Sequence, residues 1–328
     1  MNTKRWLALV AAIVLLFVSI GFRFTMNIAS GLLEGFASLD EYYYSEEVVV
    51  EGDWDERIAV LNLNGVIMDQ ELSLFMEGYD HNKFLNMIDQ ASEDESVKAI
   101  ILRVDSPGGE VGATAQIHEK LVELKENYSK PIYISMGSTA ASGGYYVAAP
   151  ADKIFAETST LTGSIGVIME NINYSELAEN YGVHFNTIKS GKHKDIMSPS
   201  REMTKEEREI LQSIIDEMYD DFVQVIVDGR GMSEAKVREV GDGRIYTGRQ
   251  AKEVGLVDEL GDFDDALAAI QKDYNLEDAQ VIQYGEDFVF LSGFVTQMKN
   301  VFQGNTSELE LVMSLVRQSD KPRAMYIY

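Results

Sequence analysis

The sequence predicts a single α/β domain built on a parallel sheet, and two observations carry that expectation. An apolar strand at 98–104 leads into a helix at 112–126 and then a second strand at 131–136, the strand, crossover helix, strand order of parallel sheets. No internal repeat, low-complexity tract or proline-rich linker divides residues 57 to 285. In a chain of 328 residues that region is long enough to bury a substantial core.

Residues 1–5 include Lys4 and Arg5, and residues 6–22, from Trp6 to Phe22, hold no charge before Arg23. A run of 17 uncharged residues just reaches across a bilayer and exceeds the apolar core usual in a cleaved signal peptide. The expectation is an uncleaved single-pass anchor in the cell membrane. Basic residues precede it, whereas Glu34, Asp40, Glu41, Glu46 and Glu47 follow it, so the positive-inside rule keeps 1–5 cytoplasmic and makes the rest extracytoplasmic. Residues 23–56 read as an acidic juxtamembrane linker with a Tyr42-Tyr43-Tyr44 cluster.

The domain proper, 57–285, opens with a strand at 57–63. A short helix at 81–91 follows, with Phe84, Leu85 and Ile88 on one side. Beyond the strand, helix, strand unit, a short helix is expected at 145–149 and a strand beginning at Val183-His184-Phe185. A long helix starts with a Thr204-x-x-Glu207 capping box and carries the stripe Ile210, Leu211, Ile214, Ile215, Met218, Phe222, Val225 and Ile226. Gly229 and Gly231 are expected to end it. Residues 286–328 form a tail whose end, Pro322-Arg323-Ala324-Met325-Tyr326-Ile327-Tyr328, is largely apolar. A strand added to a neighbouring chain is its plain reading. The bolder reading has it occupy a peptide groove as a mimic of substrate.

Composition narrows the function classes. Lys and Arg total 28 against 54 Asp and Glu, a net charge of −26, which repels the phosphates of nucleic acids and argues against a DNA or RNA partner. The chain has no cysteine, which removes disulfides, thiolate zinc sites and cysteine nucleophiles together. With four His, any metal site has to be rich in carboxylates.

Glycine-flanked segments point to chemistry. From Gly137 to Gly144 the chain runs from a strand end into a helix without a bulky side chain until Tyr145. A serine at such a turn, Ser142, can project its hydroxyl into a cleft while the amides of the helix's first turn aim at the same place. A plain helix cap is an equally weighted reading of Ser142, and the Gly-x-Ser-x-Gly pattern is missing because Ala140 stands at its first position. Asp105-Ser106-Pro107-Gly108-Gly109 follows the preceding buried strand, and its glycines let backbone amides approach a ligand. A phosphate role is disfavoured, since no Gly-Lys-Ser/Thr follows.

The base is less determined. His118 sits inside the 112–126 helix and His81 opens a polar one, where a solvated or capping imidazole is the ordinary explanation. His193 lies in Lys189-Ser190-Gly191-Lys192-His193-Lys194-Asp195, so either this histidine or a lysine can serve. A lysine base must be neutral, which requires burial or a positive neighbour. Composition alone favours a solvated charge run.

Taken together, the Asp-Ser-Pro-Gly-Gly turn, the Ala140-Ala141-Ser142-Gly143-Gly144-Tyr145-Tyr146 segment, Thr162-Gly163-Ser164-Ile165-Gly166 and Gly191-Lys192-His193-Lys194-Asp195 resemble the bacterial signal peptide peptidase A family in type, order and spacing. The likeness runs from 57 to 272 and takes in Gly248-Arg249-Gln250-Ala251-Lys252-Glu253-Val254-Gly255-Leu256-Val257-Asp258, similar to a segment shared across the ClpP/crotonase superfamily.

The resemblance implies a ClpP/crotonase-like fold of repeated β-β-α units in a superhelix, behind the transmembrane helix. It implies a Ser/Lys-dyad endopeptidase that degrades remnant signal peptides and needs no metal or organic cofactor. Ser142 matches the family nucleophile and Lys194, 52 residues on, its general base. Ser164 matches the serine that orients the lysine, and Gly109 and Gly143 the backbone donors of the oxyanion hole. Long members carry two tandem copies that split lysine and serine between them, whereas this chain holds both in one. The resemblance then implies a homo-oligomeric ring, an octamer as in other short members, in which Lys194 reaches Ser142 of a neighbouring protomer. The implied partners are signal peptides, other apolar peptides and the lipid bilayer.

Readings from other classes are a Ser-His protease using His193, a non-catalytic membrane scaffold and a crotonase-like acyl-CoA enzyme. The acyl-CoA reading is disfavoured by the anchor. Ser233-Glu234-Ala235-Lys236 fits Ser-x-x-Lys, but its companion motifs are absent and Ser233 reads as a helix cap.

Overall fold

The computed structural model describes residues 45–69, 78–285 and 324–328. The expected span at 6–22 and most of the tail lie outside the described residues. Among the described residues no helix is long and apolar enough to cross a membrane.

The chain runs through β1 (Ser45–Val50), β2 (Asp53–Asn64), α1 (His81–Glu93), β3 (Val97–Ser106), β4 (Gly108–Glu110), α2 (Val111–Glu123), β5 (Ile132–Ala141) and α3 (Gly143–Ala148). It continues through β6 (Lys153–Ala156), β7 (Leu161–Gly163), α4 (Ser175–Asn180), α5 (Lys205–Arg230), α6 (Glu234–Val240) and β8 (Ile245–Thr247). Then come α7 (Gly248–Val254), β9 (Glu259–Leu260), α8 (Phe263–Tyr274), β10 (Ala279–Gly285) and β11 (Met325–Ile327). One sheet has the order β1-β10-β2-β3-β5-β6-β9, with β7 beside β5 and β8 beside β7. Its successive pairs from β10 to β9 are parallel. The mixed α/β architecture with a parallel-rich sheet is the one the strand, helix, strand pattern predicts.

Both faces of the sheet are covered, which is why β3 reads as the continuous apolar run Ala99-Ile100-Ile101-Leu102. Side chains alternate between faces along each strand. Ile58, Val60, Ala99, Ile101, Tyr133 and Phe155 form one face, packed against Ala266 and Ile270 of α8. The alternate residues face α1, α2 and α3, so the glycine-rich strand ends emerge beside those helices.

Several expectations change in three dimensions. The stretch read as linker holds, in its described part, β1 and the start of β2. Gly229 does not stop the long helix. It lies inside α5, where a Cβ would sit 2.3 Å from the Ala149 carbonyl oxygen, so its role is close helix approach. Gly231, at φ 62, is the terminator. Val183–Phe185 forms no strand, because the residues from 182 to 188 are exposed and no described strand pairs with them.

His81 is neither solvated nor a cap. It is 1 % exposed, with Nδ1 2.6 Å from the Tyr79 hydroxyl and Nε2 2.6 Å from Gln116 Oε1, while Asp80 caps α1 by accepting from Lys83 N. The stripe on α5 is covered only in its second half. Phe222 and Ile226 are buried, whereas Ile210 and Ile214 are 37 % and 36 % exposed.

Candidate active site

Strand β5 continues through the small residues from 137 to 141, which sets Ser142 between its end and α3. Ser142 has φ 53 and ψ −116, a backbone state that costs a non-glycine residue about 1–3 kcal/mol. Two hydrogen bonds hold it there: Ser142 N–H donates to Gly163 O at 2.8 Å, and Tyr146 N–H to Ser142 O at 2.9 Å. The side chain is 1 % exposed, makes no capping bond, and its Oγ has no hydrogen-bond partner among the described residues. The helix-cap reading of Ser142 therefore fails.

Next to it lies β4. Ser106 Oγ donates to Gly65 O at 2.6 Å and accepts from Gly108 N at 3.1 Å, pinning the turn into the strand. Gly108 has φ 104, and a Cβ there would lie 2.7 Å from the Gly143 nitrogen. A Cβ built on Gly143 would in turn lie 3.1 Å from the Gly109 nitrogen. The amides of Gly109 and Gly143, the expected oxyanion donors, thus border one small cradle.

Residues 324–328 lie along this strand. β11 pairs antiparallel with β4, Tyr326 opposite Gly109, and on its other side Met325 exchanges two 3.0 Å bonds with Ile168. Within this chain the segment adds to the chain's own groove, so the plain reading of a strand added to a neighbour is replaced. The Tyr326 ring stacks on Tyr146 at 5.1 Å, lies 4.7 Å from Phe222, and sends its hydroxyl to Met218 O at 3.1 Å. His118 closes the box edge-on to Tyr146 at 5.2 Å, so it too is not a solvated residue. Burial lowers the His118 pKa to about 4 and raises that of Tyr146 to about 12, so both are neutral at pH 7.

Gly108→Ala is expected to lower kcat/KM about 10²-fold, because its Cβ would lie 2.0 Å from the Tyr326 carbonyl oxygen, where peptide runs, and its φ disfavours any side chain. Steady-state kinetics checks the loss; a variant with wild-type kcat/KM would remove β4 from the site.

Ser164 also has a positive φ, 50, and its N–H donates to Arg244 O at 2.8 Å. Since Ala141 pairs with Gly163, Ser142 and Ser164 leave adjacent strands side by side. Lys194 makes no hydrogen bond to either serine. It is exposed, and its Nζ makes no hydrogen bond or ion pair among the described residues. Its loop is nevertheless clamped. Arg201 grips Asp195 through Nε at 2.9 Å and NH2 at 2.7 Å, and also binds Glu207 at 2.5 and 2.8 Å.

Hydrogen bonds from Arg201 and then Lys189 hold the Asp195 carboxyl well below its usual range. Glu207 is lowered to about 2 by Arg201 and by the Thr204 amide. Both carboxylates therefore stay ionised throughout the neutral and mildly acidic range. His193 turns toward the same helix end, with Nε2 3.2 Å from Glu206 Oε1 and Nδ1 3.8 Å from Glu207 Oε1.

Sequence reasoning missed Arg201, the Tyr146–Phe222 box and Ser106. Arg201 lies six residues from each of its two carboxylate partners, a spacing with no local signature.

A buried serine in a strained strand-to-helix turn, two amides on one cradle and an extended peptide in the adjoining groove are an arrangement that suits a serine peptidase. Comparison with known proteins agrees. The profile of peptidase family S49 matches residues 125–277. The chain is 40 % identical over 344 aligned positions, 100 % of its length and 99 % of the relative's, to an Enterococcus faecium protein named as a signal peptide peptidase SppA. It is 38 % identical to Protease 4 of Salmonella typhi over 69 % of this chain and 36 % of that one. With the chloroplastic serine protease SPPA of Arabidopsis thaliana it shares 33 % identity over 67 % of this chain and 33 % of the relative. This chain belongs to peptidase family S49, among the signal peptide peptidase A proteins.

Proposed function

We propose that this serine peptidase degrades remnant signal peptides after their release from exported proteins, with Ser142 as nucleophile and Lys194 as general base. The observation that carries the reading is the strand 324–328, which lies antiparallel on β4 beside the unpartnered Ser142 hydroxyl with an aromatic side chain boxed at its centre. An apolar peptide in extended form fits that groove, and the name of the Enterococcus faecium relative points to signal peptides as the substrate class. Residues 6–22 anchor the chain in the cell membrane with 57–285 extracytoplasmic, where spent signal peptides are set free.

In this reading Lys194 takes the Ser142 proton as Oγ attacks the peptide carbonyl. The tetrahedral oxyanion is held by the Gly109 and Gly143 amides, and the amine leaves with a proton from Lys194. Water then hydrolyses the acyl-enzyme, and Ser164 orients the lysine.

A second copy completes the site. Ser142 Oγ and Lys194 Nζ are not joined within one chain. The segment before Lys194 exposes Ile172, Leu177, Tyr181, Val183, Phe185 and Ile188, with Tyr181 81 % exposed, beside the bare end of the α5 stripe. An apolar surface of that extent suits a partner, and a heterologous contact that closes gives a ring. Seating in an apolar interface also favours the neutral lysine that the chemistry needs.

Turnover of a fluorogenic apolar peptide by the full chain tests the dyad. Ser142→Ala and Lys194→Ala are each expected to lose at least about 10³-fold in kcat, with His193→Ala active. Activity retained in Lys194→Ala but lost in His193→Ala would transfer the base to the histidine.

A further inference from the structure

Thr114 lies in the first turns of α2, fully buried, and its hydroxyl has no hydrogen-bond partner among the described residues. A helical threonine ordinarily returns its hydroxyl to a carbonyl three or four residues back. Thr114 does not, and a buried hydroxyl left unpaired is destabilising, which makes this an expensive place for one. What it faces is specific. A Cβ built on Gly143 would lie 2.9 Å from Thr114 Oγ1 and 3.1 Å from the Gly109 nitrogen, so the hydroxyl forms the wall of the cradle that the two amides border.

The occupied groove shows what it does not do. Tyr326 places a trigonal carbonyl against Gly108, and Thr114 forms no hydrogen bond to it. When Ser142 adds to a carbonyl, the oxygen gains a full negative charge and swings out of the peptide plane toward its donors. We propose that the Thr114 hydroxyl is a third donor to this oxyanion, engaged in the tetrahedral state and idle before it. The proton stays on threonine throughout. A donor that binds the transition state and not the ground state raises kcat and leaves KM alone. The proposal rests on the assignment of Ser142 as nucleophile.

The test uses the full chain and compares Thr114→Val, which keeps the shape without the hydroxyl, Thr114→Ser, which keeps the hydroxyl, and Ser142→Ala. Thr114→Val is expected to lower kcat about tenfold with KM within about twofold of wild type. Its Tm is expected to be equal or higher, because an unpaired buried hydroxyl has been removed. Affinity for a peptide aldehyde, which forms a tetrahedral adduct, is expected to fall by the same factor as kcat/KM, and Thr114→Ser to recover most of the loss.

Wild-type kcat in Thr114→Val, or a loss that Thr114→Ser shares together with a lowered Tm, would overturn the third donor. If Ser142→Ala turns over substrate, the nucleophile assignment falls and the Thr114 role with it. If Ser142→Ala is inactive and Thr114→Val is not impaired, only the Thr114 role falls.

Discussion

Ser142→Ala chains co-assembled with Lys194→Ala chains are expected to regain turnover that neither variant has alone. Each variant keeps one half of the proposed dyad, and within one chain the Ser142 hydroxyl is buried and unpartnered while Lys194 stands exposed on a clamped loop. In a ring with heterologous contacts, a site works when its serine comes from a Lys194→Ala chain and its lysine from a Ser142→Ala chain. Random assembly at equal amounts gives about a quarter of sites both halves, so recovery to about a quarter of wild-type activity is expected. Co-expression with two tags and tandem purification isolates the mixed assembly. No recovered turnover in that material would reject the shared site.

The second large effect concerns the chain's own end. Tyr326 stands opposite Gly109, and the flanking bonds, Val111 N–H to Ala324 O at 3.4 Å and Tyr328 N–H to Pro107 O at 3.0 Å, set the alternation of the antiparallel pair. That alternation aims the Tyr326 carbonyl at the Gly109 amide, one of the two expected oxyanion donors, with the Gly143 nitrogen close to the same point. The bond presented for attack is the one between Tyr326 and Ile327. Wild-type protein is therefore expected to lose Ile327 and Tyr328, and Ser142→Ala to keep them. Intact-mass spectrometry reads the difference directly; identical masses would show that the strand occupies the groove without being a substrate, and a cut elsewhere would reject this register.

The outcome for particular elements follows their physics. The Thr204 capping box forms as written, with Thr204 accepting from Glu207 N and Glu207 accepting from Thr204 N, because both partners lie within one turn. Ser233 likewise caps α6 and accepts from Lys236 N. β5 runs five residues past its expected end, since small residues with little strand preference are carried on by pairing with β7. His81 and His118 could not be placed from sequence, because their burial depends on Gln116, Tyr79 and Tyr146, brought to them by other elements or by the fold of the loop.

By itself the sequence determined the α/β class, the glycine-bounded turns and Ser142 as a candidate, each of which depends on periodicity, φ preference or capping within a few residues of chain. Ser164, Gly109 and Gly143 became candidates through the family resemblance of the motifs that hold them. Only the tertiary structure decided what those residues meet. It put the amides of Gly109 and Gly143 on one cradle, boxed Tyr326 between Tyr146 and Phe222, tied Asp195 to Glu207 through Arg201, and formed no hydrogen bond between Lys194 and Ser142. Contacts of that kind join residues far apart in the chain, and they form where parallel strands and crossover helices bring distant segments together, a geometry that no local pattern encodes.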